Sequence, residues 1–119
     1  MSNIQETLKK LMENDGALAV AVVDSESGMT LGSAGSGVDI ELAAAGNTEV
    51  VRAKLKIMKT LKLDDVIEDM LITLGKQYHI IRPLPKAHNI FLYYVLDKSK
   101  ANLALSRHHL HTASDNMVL

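Results

Sequence analysis

Two short, unbroken apolar runs decide most of what this chain can become. They are Ala17-Leu18-Ala19-Val20-Ala21-Val22-Val23 and Ile90-Phe91-Leu92-Tyr93-Tyr94-Val95-Leu96. Neither is long enough to cross a bilayer, and their β-branched and aromatic content marks them as strands. A strand with apolar side chains on both faces needs cover on both faces. The chain must therefore place layers above and below a sheet. Its 119 residues suit one domain spanning 1–119.

Composition narrows the chemistry. The chain has three tyrosines, one phenylalanine and no tryptophan, so the core must be aliphatic. A net charge of -1 gives no bulk attraction to nucleic acid or anionic lipid, and neither nucleic-acid binding nor direct membrane insertion is expected. Cysteine is absent, which removes disulfides, thiolate catalysis and cysteine-ligated zinc. The polar N-terminus has no apolar signal core, and a cytoplasmic protein is the expectation.

Residues 2–13 read as a short helix, with Ile4, Leu8, Leu11 and Met12 on one stripe and Ser2 with Gln5 as a capping box. Asn14-Asp15-Gly16 stops it. After the first apolar run, Asp24-Ser25-Glu26-Ser27-Gly28 makes a hairpin turn into a return strand over 29–33. Gly32, Gly35 and Gly37 punctuate a loose exit. A long helix spans 39–63. Residues 66–74 form a third strand whose Glu68 and Asp69 mark an edge. A fourth strand runs from 77 to 82, ended by Pro83 and Pro85, with residues 86–89 as a loop. The fifth strand covers 90–96, a last helix covers 101 to about 112, and 113–119 is a tail. The order is α-β-β-α-β-β-β-α. Five antiparallel strands with the long helix on one face and the terminal helices on the other give a three-layer α/β/α sandwich.

The long helix carries more apolar surface than one sheet requires. Ile40, Ala43, Ala44, Val50, Val51, Leu55, Ile57, Met58 and Leu61 fill an arc of roughly 160° at 3.6 residues per turn. Packing on a sheet uses about 100°. Asn47 and Lys54 fall inside the arc, so it is not a plain core stripe. The surplus flank calls for a partner or for a covering loop.

No constellation supports catalysis or a cofactor. His108 and His111 share a helix face but lack a completing carboxylate or cysteine, and histidine suits a helix C-terminus. Ser106, His109 and Asp115 lack the sharp turn and oxyanion hole of a triad. The glycines 32, 35 and 37 are no phosphate loop, and Gly75-Lys76 runs into Gln77. Arg52, Lys54, Lys56, Lys59 and Lys62 make the second half of the long helix basic, which complements the helix dipole. The expected catalytic, metal and cofactor sets are empty.

The element order resembles the roadblock family. So do three passages: residues 19–24 through Gly28, Leu42-Ala43-Ala44-Ala45 at the start of the long helix, and Val95-Leu96-Asp97 through Ala101-Asn102-Leu103 at the closing joint. The resemblance implies a profilin-like roadblock domain that forms homo- or heterodimers. In such dimers the third strands pair edge to edge and the long helices lie side by side. It also implies binding to small Ras-like GTPases or to roadblock-like proteins, without chemistry of its own.

Mapped onto this sequence, the dimer contact is expected at Asn47, Val51, Lys54, Leu55, Met58, Ile67, Asp69 and Leu71. The docking face is expected on the polar far side of the long helix, where Glu41 and Thr48 accompany Glu49, Arg52, Lys56 and Lys59. The competing class is a small-ligand sensor with its pocket between sheet and long helix, which an aliphatic filling disfavours.

Overall fold

The computed structural model describes residues 2–119. Its elements are α1 (Ile4–Met12), β1 (Ala17–Asp24), β2 (Thr30–Gly35), α2 (Ile40–Thr60), β3 (Met70–Thr73), β4 (Gln77–Leu84), β5 (Ala87–Asp97) and α3 (Leu103–Asn116). The strands form one antiparallel sheet in the order β2-β1-β5-β4-β3. The two apolar runs thus occupy the middle of the sheet, where both faces are covered. Alternation along each strand divides the core. Val20, Val22, Ile80, Leu92, Tyr94 and Leu96 face α1 and α3, meeting Leu8, Leu11 and Leu110. Ala19, Ala21, Val23, Ile81, Phe91, Tyr93 and Val95 face α2, meeting Ala44 and Val51.

Local chemistry sets the joints. The Asp39 carboxylate accepts from the Leu42 amide at 3.2 Å and caps α2. Asn102 does the same for α3 through the Leu105 amide at 3.0 Å. In the turn before it, Asp97 accepts from the Ser99 amide and hydroxyl at 2.9 and 2.7 Å. Those bonds hold the exposed Asp97 carboxyl below its ordinary range. Gly28 closes the first hairpin at φ 76°, a conformation glycine takes without strain.

Several boundaries differ from the sequence reading. Ser2 and Gln5 do not form a capping box; α1 starts after Asn3, which makes no side-chain cap bond. The return strand reaches Gly35, past Gly32. Pro83 does not end β4, which runs to Leu84, and Pro85-Lys86 is a tight turn into an earlier β5. Pro83 lies beyond the end of β3 and beside a bulge, the places where a sheet tolerates a missing N–H. Nor is 113–119 a free tail. Helix α3 continues to Asn116, and Met117 is buried. The Asn3 and Val118 backbones are tied, with the Asn3 amide 3.0 Å from the Val118 carbonyl and the Val118 amide 2.7 Å from Asn3 Oδ1.

Strand β3 is an edge, as expected, but it is only Met70–Thr73 and not 66–74. Glu68 and Asp69 precede it and are not part of the ladder. No described helix is long and apolar enough to cross a membrane.

Candidate interaction site

Helix α2 packs on β1 and β2 and leaves the β3 side of the same face open. Its inward residues are Ala44, Thr48, Val51 and Met58. From Arg52 onward, only Met58 in the helix is buried. Leu55 and Ile57 are about half exposed, at 47% and 45%. At 100° per residue, Val50, Ile57 and Leu61 share one flank, while Arg52, Lys56 and Lys59 share the opposite one. Arg52 fixes which flank faces where. Its Nη2 donates to the Glu26 carbonyl in the β1–β2 turn at 2.6 Å, and its Nη1 meets Glu49 at 3.2 Å. The charged flank therefore looks toward β2, and the apolar flank toward β3.

The β3 side continues that apolar surface. Met70 and Ile72 pair with Ile81 and His79 and so lie on the α2 face. Leu71 lies on the other face and is exposed at the edge. Leu63 and Val66 in the linker are exposed as well. A groove of about 550 Å³ runs between Lys54, Met58 and Leu63 on one side and residues 65–70 on the other. Burying apolar surface of this kind contributes on the order of 25 cal/mol per Å².

The expected contact residues divide accordingly. Leu55, Lys54 and Leu71 are exposed, and Ile67 is half-buried. Val51 is buried in the cluster between helix and sheet, and Met58 is buried beside the linker, where it lines the groove. Asn47 also turns inward, against the Tyr93 hydroxyl. That hydroxyl donates to His79 Nδ1 at 3.0 Å, and His79 Nε2 donates to Gln77 Oε1 at 2.8 Å. Burial pushes the Tyr93 phenol up, with the Asn47 contact opposing, and pushes His79 down so that it stays neutral. This polar chain spans the α2 face next to the open edge. On the docking side, Glu41, Glu49, Arg52, Lys56 and Lys59 are all exposed. Thr48 is not: it is buried, its hydroxyl donating to the Ala44 carbonyl at 2.8 Å. Between sheet and helix the space is filled by Ala44, Val51, Phe91 and Tyr93, which disfavours a ligand pocket there.

Asp69 is the least predictable member. Its carboxylate, 6% exposed, faces α3 and not the edge. Arg107 Nη2 donates to Oδ1 at 2.9 Å and Nε donates to Oδ2 at 3.0 Å, while His111 Nε2 is 2.7 Å from Oδ2. Burial alone would raise this carboxyl. The His111 and Arg107 hydrogen bonds and their charges outweigh it and hold the group below its ordinary 3.8. The folded state thus binds this proton less readily than the unfolded chain. The stabilisation is present above about pH 3.8 and is lost as pH falls through the lower folded value. Urea titrations from pH 7 to pH 2 should show a shallower acid limb for Asp69→Asn than for the wild type.

The sequence reading missed Arg82, Arg107 and His111 as structural partners. Arg82 had a visible signal, being the one charge inside Ile80-Ile81-Arg82-Pro83-Leu84. It is 9% exposed and donates to Ser114 Oγ, the Glu68 carbonyl and Asp115. The serine, histidine and aspartate of a nominal triad are dispersed by these bonds. Ser106 is buried, His109 donates to Asn14, and Asp115 faces Arg82. Asn14 in turn donates to the buried Tyr94 hydroxyl at 2.9 Å, which donates to the Leu11 carbonyl at 2.5 Å. Among the described residues no group of three or more His, Cys, Asp or Glu is placed to hold a metal.

No family model matches the chain. No curated protein does so either. Solved structures do. MglB of Myxococcus xanthus superposes with a TM-score of 0.82 at 21% identity, covering 94% of this chain and 89% of that one. The gliding protein MglB of Thermus thermophilus gives 0.79 at 17% identity, over 93% and 82%. The Roadblock/LC7 domain from Streptomyces avermitilis gives 0.78 at 8% identity, over 92% and 89%. At such identities the likeness speaks for the architecture, and the element order, the five-stranded antiparallel sheet and the helix placement all agree: the chain has the roadblock fold.

Proposed function

We propose that this protein is a dimeric, non-catalytic regulator or scaffold whose paired long helices receive a small Ras-like GTPase or another roadblock-like protein. One observation carries the reading. The apolar flank of α2 lies across a groove from the uncovered β3 edge, so helix and strand ask for cover at the same place. A second copy related by a two-fold axis supplies both at once. Its β3 continues the ladder, and its α2 covers Ile57 and Leu61. The polar flanks with Arg52, Lys56 and Lys59 then lie on one broad surface of a size suited to a protein.

Sedimentation at micromolar concentration should return about twice the chain mass of 13.0 kDa. Ile57→Asp with Leu61→Asp should give a monomer that keeps its circular dichroism. A wild type that sediments as a clean monomer sinks the dimer. For the partner, purified small GTPases from the same host should be titrated in both nucleotide states. Lys56→Glu with Lys59→Glu should weaken their binding while leaving the dimer intact, because exposed charges contribute little to folding. Unchanged binding in that double variant places the docking face elsewhere.

A further inference from the structure

The edge strand that this reading uses is held from behind. Strand β3 has four residues, Met70–Thr73, bonded on one side only, to β4. A slip of one residue in its pairing would exchange its two faces. The linker that delivers it from α2 is exposed at Leu63, Asp64, Asp65, Val66 and Glu68, with Ile67 alone half-buried, so apolar packing holds its path only weakly. What fixes it is a pair of consecutive anchors just before the strand. The Glu68 carbonyl accepts from Arg82 Nη1 at 2.6 Å. The Asp69 carboxylate is gripped through both oxygens by Arg107 and through one by His111. Both anchors lead to α3, since Arg82 also binds Ser114 and Asp115. Helix α3 lies on the sheet face opposite α2.

We propose that Asp69 is the positioning residue of the β3 edge: gripped by Arg107 and His111, it holds β3 in the plane and register in which a second copy can pair with it. Asp69 acts through the strand and touches no partner itself. The inference rests on the reading that β3 is the dimer contact. It adds that α3, on the far face, sets how well that contact forms. Arg107 is the accessible half of the grip, at 44% side-chain exposure against 6% for Asp69, so changing it opens no cavity in the core.

The test uses the full chain and two readouts, the dimer dissociation constant from sedimentation and the amide exchange of Met70–Thr73. Asp69→Asn and Arg107→Gln should each weaken the dimer by about tenfold, the size of effect known for residues that act through a neighbouring element. Each should also speed exchange in β3 while leaving β1 and β5 slow. The double variant should be no worse than either single, because both remove the same grip. Leu110→Val, a core change on α3, should lower the melting temperature without speeding exchange in β3. A merely structural role for Asp69 predicts the opposite pattern, with dimer constant and β3 exchange tracking melting temperature across all four variants. That pattern, or an unchanged dimer constant in Arg107→Gln, overturns the proposal. If Asp69→Asn does not fold, Arg107→Gln carries the test alone. A wild type that is monomeric overturns the dimer reading, and with it the pairing role. The exchange arm still reports in that case whether Asp69 holds β3.

Discussion

Replacing Gly35 by alanine should cost this fold about 3 kcal/mol or more, enough to lower the melting temperature by roughly 10 °C in a chain of this size. Two costs act together. Gly35 sits at φ 89°, where an L-residue carries a penalty of about 1–2 kcal/mol. A Cβ there would also lie 2.2 Å from the Leu18 carbonyl oxygen and 2.7 Å from Ala19 Cα. Those are backbone atoms of the neighbouring strand and cannot step aside without breaking the β1–β2 ladder at its Ala19–Gly35 pair. Gly37 separates the two costs. It has nearly the same φ, 92°, but nothing within 4 Å of the would-be Cβ. Gly37→Ala should therefore cost only the conformational part, about 1–2 kcal/mol. Urea melts of both variants decide the matter. Equal losses would mean that the Gly35 contact is relieved by a small shift of the strand.

Val51→Asp should be more damaging still, at about 4 kcal/mol or above, because it places an unpaired carboxylate in the aliphatic layer between α2 and the sheet. Val51 is 2% exposed and packs in the cluster with Ala44, Phe91 and Tyr93. The members of that cluster are apolar apart from the Tyr93 hydroxyl, and none offers a cation. The chain should be largely unfolded at 37 °C, read as lost far-ultraviolet dichroism. The same substitution about a third of the way around the helix should behave differently. Ile57→Asp meets water in the monomer, so its cost should appear in assembly and not in folding. If Val51→Asp folds normally and only disrupts assembly, the orientation of α2 on the sheet is wrong.

These two helix positions show what the sequence made legible. The periodicity of α2 gave a wide arc but not its direction, because Val51 and Ile57 are both aliphatic and differ only in what lies opposite them. That depends on where α2 crosses the sheet, a tertiary fact with no local signal. Asn47 was recognisable as foreign to a core stripe, and the structure supplies its reason in the Tyr93–His79–Gln77 chain. The central strands were plain because two-sided burial leaves an unbroken apolar run. The prolines misled, since Pro83 reads as a stop unless one knows that β3 has already ended beside it. Asp69 misled most. Read inside the third strand it marks an edge and a dimer contact, yet it precedes β3 and its partners stand 38 and 42 residues later on α3. Separations of that size cannot be inferred from spacing.

The tie between Asn3 and Val118 has a consequence for how the molecule can be held. It brings the two ends of the described chain together beside α1 and α3, on the layer opposite α2. Anything fused to either end emerges on that side, so a tether, a bead or a neighbouring domain leaves the α2 surface pointing away from its point of attachment. A linker of a few residues could also join the ends directly. New termini could then be opened in the Pro85-Lys86 turn, giving a circularly permuted chain with the same sheet order.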